Sequence, residues 1–285
     1  MNATLGAPHS ARPRWAIWIA GLALSACAAN SEPAEALRGA EQGASAELAT
    51  IAYDPTILDD PSRTDVDRYR DQGMRPLEVY AFFGIEPGMI VADLGTATMY
   101  NAQLLGHIVG SEGRVHAIMD WGPTLADWRR ERTMPAYERL TAAGALTNVE
   151  LIGTLEEIPD NSLDALIIIR HYHDFGESDV RIAQLPRFLR ALRPGGILGV
   201  LDAHTDKADE RDESVHRMNE ALAREEISGG GFEFVASSDL LHNSDDTFDF
   251  DGREGARTPD DPTDDAPIHR YFIHRWTMKF QKPGT

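Results

Sequence analysis

Short apolar runs alternate with longer segments of helical period along most of this chain. Five runs read as strands: Ile90-Val91-Ala92-Asp93-Leu94, Val115 to Met119, Val149 to Ile152, Leu163 to Ile169 and Ile197 to Leu201. The fourth is apolar with almost no interruption, as a strand buried on both faces requires. Between the runs, Leu104, Leu105, Ile108 and Val109 share one helical face after Tyr100, and Leu185, Phe188, Leu189 and Leu192 form another. Pro76 stands ahead of Leu77 to Phe83, where a first helical turn tolerates its missing N–H, and Gly84 ends that helix. Pro135 is expected to break the helix after the second strand, and Pro186 to kink or restart a later one. Val215, Met218 and Leu222 predict a further amphipathic helix. Phe232 to Ala236 and Tyr271 to Phe280 predict a closing antiparallel pair. Repeated strand–helix units ending in a strand pair predict an α/β fold. The expected architecture is a doubly wound, mostly parallel sheet of seven strands with an antiparallel terminal hairpin.

The beginning of the chain follows another pattern. Arg12 and Arg14 precede an apolar stretch, Trp15 to Ala23, that is short for a membrane span. Leu24-Ser25-Ala26-Cys27 follows. Small residues before a cysteine, directly after such a stretch, resemble a bacterial lipoprotein signal with its lipobox. The resemblance implies a signal peptide over residues 1–26 and acyl chains on Cys27, which anchor a protein without a transmembrane helix. Ala28, in place of an aspartate, implies the outer membrane and its periplasmic face. Cys27 is the only cysteine, so no intrachain disulfide can form. Residues 27–50 are rich in Ala, Glu, Ser and Gly and read as a flexible tether, which leaves 51–285 as the folded domain.

Charge narrows the partners. The 285 residues carry a formal net charge of -19. Such a surface repels phosphate backbones, so nucleic acid is not an expected partner. Nine of the 46 acidic residues lie at 242–268, a loop long for a connection within a compact domain. It contains Asp249-Phe250-Asp251-Gly252, a fragment of a calcium-loop pattern, but Thr247 and Thr258 stand at the first and twelfth ligand positions, against an EF-hand. A solvated loop is expected.

Three ordered segments carry a further resemblance. Pro87-Gly88-Met89-Ile90-Val91-Ala92-Asp93-Leu94-Gly95 resembles the entry to motif I of class I S-adenosylmethionine-dependent methyltransferases. Glu157-Ile158-Pro159-Asp160-Asn161-Ser162-Leu163-Asp164 resembles their loop into the fourth strand, and Leu192-Arg193-Pro194-Gly195-Gly196 their turn into the fifth. The similarity covers residues 75–240 and extends to a bacterial, signal-bearing group with a Tyr-His-Asp segment after the fourth strand. It implies S-adenosylmethionine as cofactor and methyl transfer to a small-molecule acceptor. It implies that Asp93 and Gly95 border the methionine moiety. Thr96 would lie in a turn whose N–H groups approach the cofactor, Asp120 would accept the ribose hydroxyls, and Thr154 with Leu155 would lie near the adenine. Arg170 and His171 would face the methyl. The chain departs from the family at Ala97 and Met99, where relatives carry glycine. Met99 is expected either to close part of the pocket or to start the helix.

His171-Tyr172-His173-Asp174 and Asp202-Ala203-His204 leave neighbouring strands on the same side of the expected sheet. A histidine here can serve as general base, with Asp174 or Asp202 fixing its tautomer. The same side chains can ligate a divalent metal, or bond loops and cap the next helix. His216-Arg217 lies on the predicted helix after them, where Arg217 is expected in solvent or on an acceptor carboxylate. Besides a methyltransferase, these features suit a non-catalytic envelope lipoprotein that keeps the fold as a binding module. A metal-dependent hydrolase is a more distant alternative.

Overall fold

Alternation along the central strand sets the two layers. The computed structural model describes residues 51–207, 211–212, 216–248 and 273–284. The signal stretch, Cys27, the tether, Val215, Tyr271 and the calcium-loop fragment lie outside these residues. The helices are α1 (Asp65–Met74), α2 (Pro76–Phe83), α3 (Tyr100–Val109), α4 (Asp127–Ala142), α5 (Ser178–Ala191) and α6 (Glu220–Gly229). Strands β1 (Ile90–Leu94), β2 (Arg114–Asp120), β3 (Val149–Thr154), β4 (Leu163–Ile169) and β5 (Leu192–Ala203) run parallel. Arg211–Asp212 (β6) and Arg217–Met218 (β7) make a small separate ribbon. Glu233–Ser238 (β8) and Arg275–Gln281 (β9) complete the main sheet in antiparallel fashion.

The seven-stranded order is β3-β2-β1-β4-β5-β9-β8. From β4, Leu166 and Ile168 join one core with Leu185 and Phe188 of α5 and Ala223 and Ile227 of α6. Ala165, Ile167 and Ile169 join the other with Tyr80 and Phe83 of α2 and Leu104 and Leu105 of α3. Each fully buried Leu, Ile or Phe contributes about 1.5–3 kcal/mol, so both faces of the sheet need a helical cover. Strand order reverses between β1 and β4, and a crevice opens at the carboxyl edge of such a switch point.

Local chemistry explains the helix ends. Thr64 and Asp67 form a capping box on α1: Thr64 N donates to Asp67 Oδ2 at 2.9 Å and Asp67 N to Thr64 Oγ1 at 3.2 Å. Gly84, at φ +78°, closes α2 in the left-handed region.

Three sequence expectations are corrected. α4 runs unbroken through Pro135 and α5 through Pro186. Each proline is exposed, and so is the residue four positions earlier, Glu131 or Ile182. Water can therefore satisfy the freed carbonyl, while Leu140 and Leu185 bury the opposite faces. Met218 is extended in β7 rather than helical. α6 begins at Glu220, because Asn219 accepts from Leu222 N and caps it there.

Candidate functional site

The turn after β1 closes tightly. Gly95 lies at φ +85°, and a Cβ on it would fall 2.6 Å from Cδ2 of His171, so only glycine lets the two segments touch. Gly95 N and Thr96 N both donate to Ile118 O at 2.9 Å. The turn's first two N–H groups thus bind β2, contrary to the expectation that they approach a cofactor. Met99 also starts the helix from the left-handed region, at φ 63°. Its side chain is fully buried in the core beneath α2 and α3 and is not on the lining of either cavity at this turn. It therefore does not close the site. Ala97 does line it.

Asp93 faces the same side of β1 as Val91, under the start of α3. It is 1% exposed. Oδ1 accepts from Asn101 Nδ2 at 3.3 Å, while Oδ2 has no hydrogen-bond partner. Burial raises its carboxyl to about 6, against the opposing pull of nearby Thr96 and Asn101.

Across from this turn, four side chains form a chain. His171 Nδ1 lies 3.2 Å from Asp174 Oδ2, and Asp174 Oδ1 lies 3.1 Å from His173 Nε2. His173 Nδ1 lies 2.8 Å from Asp202 Oδ1, and His173 N donates to Asp202 Oδ2 at 3.0 Å. Burial alone would lower His173, but the carboxylates on both sides outweigh it and raise the ring to about 9. Asp174 is held well below the usual carboxylate range, because hydrogen bonds and charge from both histidines overcome the opposing effect of burial. Burial lowers His171 below an ordinary imidazole, against the pull of Asp174. At neutral pH this gives an ionised Asp174 beside a charged His173, with His171 neutral. Nδ1–H of His171 then donates to Asp174 and leaves Nε2 as the acceptor.

Two adjoining cavities flank this chain. One, of about 200 Å³, is lined by Arg70, Asp93, Gly95, Asn101 and Arg170. The other, of about 410 Å³, is lined by Met119, Trp121, Trp128, Arg129 and His216. Thr96, Ala97, Arg132, His171 and Asp174 line both. Arg170 enters the first from a left-handed backbone, φ 61°, just past β4. The summed space is within the range of small-molecule sites.

The remaining predicted residues are placed differently. Asp120 is buried and turned into its own loop: Oδ1 accepts from Gly122 N at 2.9 Å, Oδ2 from Ala126 N at 3.0 Å, and Arg129 Nε lies 3.3 Å from Oδ1. The Arg129 guanidinium carbon lies 3.2 Å from the ring centre of Trp121 and 4.2 Å from that of Trp128. Thr154 N donates to Glu157 Oε1 at 2.9 Å in a cap of the 3₁₀ turn that follows, and Leu155 is wholly in the core. Neither lines either of the two cavities.

His204 stays apart from the histidine chain and packs against His274 at a tilt and edge-on against Phe248 instead. Arg217 is fully buried, not solvated. It pairs bidentately with Asp246 at 2.9 and 3.1 Å, so the first part of the acidic loop is tied into the core rather than solvated. Among the described residues, no three His, Cys, Asp or Glu side chains converge as a metal site. The sequence reasoning did not single out Asn101, Arg70, Arg132 or Trp121. Trp121 was within reach of it, as an aromatic directly after the acid that ends β2. The arginines carry no such signal, because an exposed helix face looks the same whether or not it borders a cavity.

No family model matches the chain, and no curated protein does. Solved structures do. A SAM-dependent methyltransferase from Aquifex aeolicus is similar at 20% identity, over 81% of this chain and 99% of that one, with a TM-score of 0.53. The [4+2]-cyclase SpnF is similar at 17% identity, over 77% of this chain and 81% of that one, with a TM-score of 0.51. One fold thus serves a methyltransferase and a cyclase, and reaction has to be argued from the site. The chain has the Rossmann-like α/β fold of the S-adenosylmethionine-dependent methyltransferases, a mostly parallel seven-stranded sheet with an antiparallel end.

Proposed function

We propose that this chain is an S-adenosylmethionine-dependent methyltransferase acting on a small-molecule acceptor. Asp93 carries the proposal: a buried carboxylate with one unbonded oxygen, on the wall of a cavity at the switch point of the sheet. Asp93 and Arg70 on its lining would suit a ligand with an amino-acid end, through its ammonium and its carboxylate. When bound, the cofactor supplies an electrophilic methyl on a sulfonium. Asp93 and Asn101, beside the turn of Gly95 and Thr96, would hold its amino-acid end, and Arg170 and His171 would border the reacting side. Asp120 can accept a ribose hydroxyl only after Arg129 releases it, with Thr154 and Leu155 supporting that end from behind. His171 Nε2 takes the acceptor's proton, and Asp174 steadies the imidazolium that results. His173 and Asp202 position Asp174. Such base catalysis contributes about 10²–10⁴ in rate.

Calorimetry of the full-length protein with S-adenosylmethionine and S-adenosylhomocysteine tests this directly. Binding that is lost in Asp93→Ala supports it. No heat with either ligand rejects it in favour of the alternative, a non-catalytic envelope lipoprotein, which draws on the Arg129 stack beside Asp120.

We further propose that acyl chains on Cys27 hold the protein at the outer membrane, with the folded domain in the periplasm. Among the described residues no helix is long and apolar enough to cross a membrane. Because S-adenosylmethionine is made in the cytosol, this address requires an external supply of the donor. A Cys27→Ala protein should leave the membrane fraction, and one that stays there refutes the anchor.

A further inference from the structure

A phenol hydroxyl buried in a core is costly unless it is hydrogen-bonded. Tyr80 of α2 is 0% exposed, and its hydroxyl donates to Asn101 Oδ1 at 3.0 Å. Asn101 of α3 in turn donates from Nδ2 to Asp93 Oδ1 at 3.3 Å. Tyr80 lines neither cavity, whereas Asn101 and Asp93 line the smaller one. Three side chains thus run in series from the core beneath α2 to the cavity wall. Asp93 Oδ2 is left at the end of the series, buried and unbonded.

Charge fixes the direction of donation. A side-chain amide has one accepting and one donating end, and an ionised carboxylate only accepts. Asn101 must therefore turn Nδ2 toward Asp93, and its Oδ1 then needs a donor. The Tyr80 hydroxyl is that donor. Burial first, then the charge of Asp93, push the hydroxyl well above the ordinary tyrosine value, against the pull of Arg63, so it keeps its proton. Phenylalanine at position 80 has nothing to donate, and an amide turned the other way sets its oxygen against the carboxylate. Thr96 and the Ala102 N–H also favour the charged form of Asp93. The titratable and charged groups that share its lining are Arg70, Tyr100, Arg132, Arg170, His171 and Asp174. None of these changes when only the Tyr80 hydroxyl is removed.

We propose that Tyr80 is a positioning residue for ligand binding: through Asn101 it keeps one oxygen of Asp93 engaged and leaves the other to receive the ammonium of the bound ligand. This rests on the methyltransferase function argued above, which supplies a ligand with an amino-acid end. Tyr80 touches no ligand itself and acts only by orienting the amide and strengthening its bond to the carboxylate.

The test compares the full-length parent with Tyr80→Phe, which keeps the buried ring and removes only the hydroxyl. Carboxyl ¹³C NMR follows Asp93 directly, its signal being the one missing in Asp93→Asn. The parent midpoint is expected at about 6. Tyr80→Phe should raise it by about 0.4–1 pH unit, the worth of one hydrogen bond. Calorimetry with S-adenosylhomocysteine should then show binding about two- to eightfold weaker at pH 5.5 and nearly unchanged at pH 8, because only the ionised carboxylate receives the ammonium. In an Asn101→Ala background the same substitution should move neither quantity, since Tyr80 acts through the amide. An unmoved midpoint, or a loss of affinity equal at all pH, overturns the positioning role while the methyltransferase stands. An effect that persists without Asn101 overturns it as well. If the parent binds no S-adenosylhomocysteine, the methyltransferase fails and the role of Tyr80 in ligand binding with it, even where the midpoint moves.

Discussion

His173 and Asp202 form a buried pair, Nδ1 to Oδ1 at 2.8 Å, with the His173 backbone N–H held by the other oxygen of the same carboxylate. Two neighbouring strand ends are thereby locked together at the site. The ring is raised from 6.5 to about 9 in the folded protein, against burial, by Asp202 and Asp174. A raised histidine stabilises the fold fully below pH ~6.5 and loses that contribution as pH rises through about 9. The shift corresponds to a few kcal/mol at most, of order 3. Unfolding free energy should therefore fall between pH 6.5 and 9, and the slope should flatten in His173→Gln. Chemical denaturation across that range measures it, and an unchanged slope rejects the charged ring.

His204 works in the opposite direction. Burial, then the neighbouring His274, His242 and Arg217, hold it down to about 4. A histidine lowered in the folded state contributes stability above pH ~6.5 that is lost as pH falls toward 4. His204→Phe keeps the aromatic contact with His274 and Phe248 while removing the proton site. Its loss of stability on acidification should be shallower than that of the parent, as followed by thermal melts from pH 7 to 4.

Asp93 sets function against stability. With its carboxyl raised to about 6 by burial, the folded state bears a penalty at pH 7 that disappears below pH ~4, where the group is protonated folded or unfolded. Asp93→Asn should raise stability at pH 7 by about 1–3 kcal/mol and leave it nearly unchanged at pH 4. The same variant should bind S-adenosylhomocysteine at least about tenfold more weakly, because the ammonium loses its counter-charge.

Met99 stands in a backbone conformation glycine prefers, yet its side chain is wholly in the core. Met99→Gly relieves about 1 kcal/mol of left-handed strain and removes a buried side chain worth about 2–5 kcal/mol. The net result should be a destabilised protein whose S-adenosylhomocysteine affinity is unchanged. A gain in affinity would show that Met99 obstructs the site after all.

Arg129 holds Asp120 and fills the space between Trp121 and Trp128. If the ribose must reach Asp120, that pair and stack are broken on binding, at about 1–3 kcal/mol. Arg129→Ala should then tighten S-adenosylhomocysteine by about tenfold and quench Trp121 and Trp128 fluorescence differently on titration. Weaker binding would mean that Arg129 is itself a contact for the ligand.

The chain's own pattern determined the sheet. An uninterrupted run such as Leu163–Ile169 can be satisfied only between two helical layers, and the turn residues around Gly95 and Gly195 place the strand ends with little freedom. For the same reason Asp93, His171, His173 and Asp174 were legible as a group, each lying just past or inside a strand end on one edge. Which of them bonds to which was decided in three dimensions. His204 is two residues from Asp202, yet it lies past the end of β5, beside His274 and Phe248. Arg217 looked solvated in a polar segment, and only packing against Asp246 buries it. Pro135 read as a break and Pro186 as a kink or restart because a local rule cannot know that their freed carbonyls face water. Period and turn chemistry act over a few residues, whereas charge pairing and the filling of a cavity depend on distances the chain sets only once it is folded.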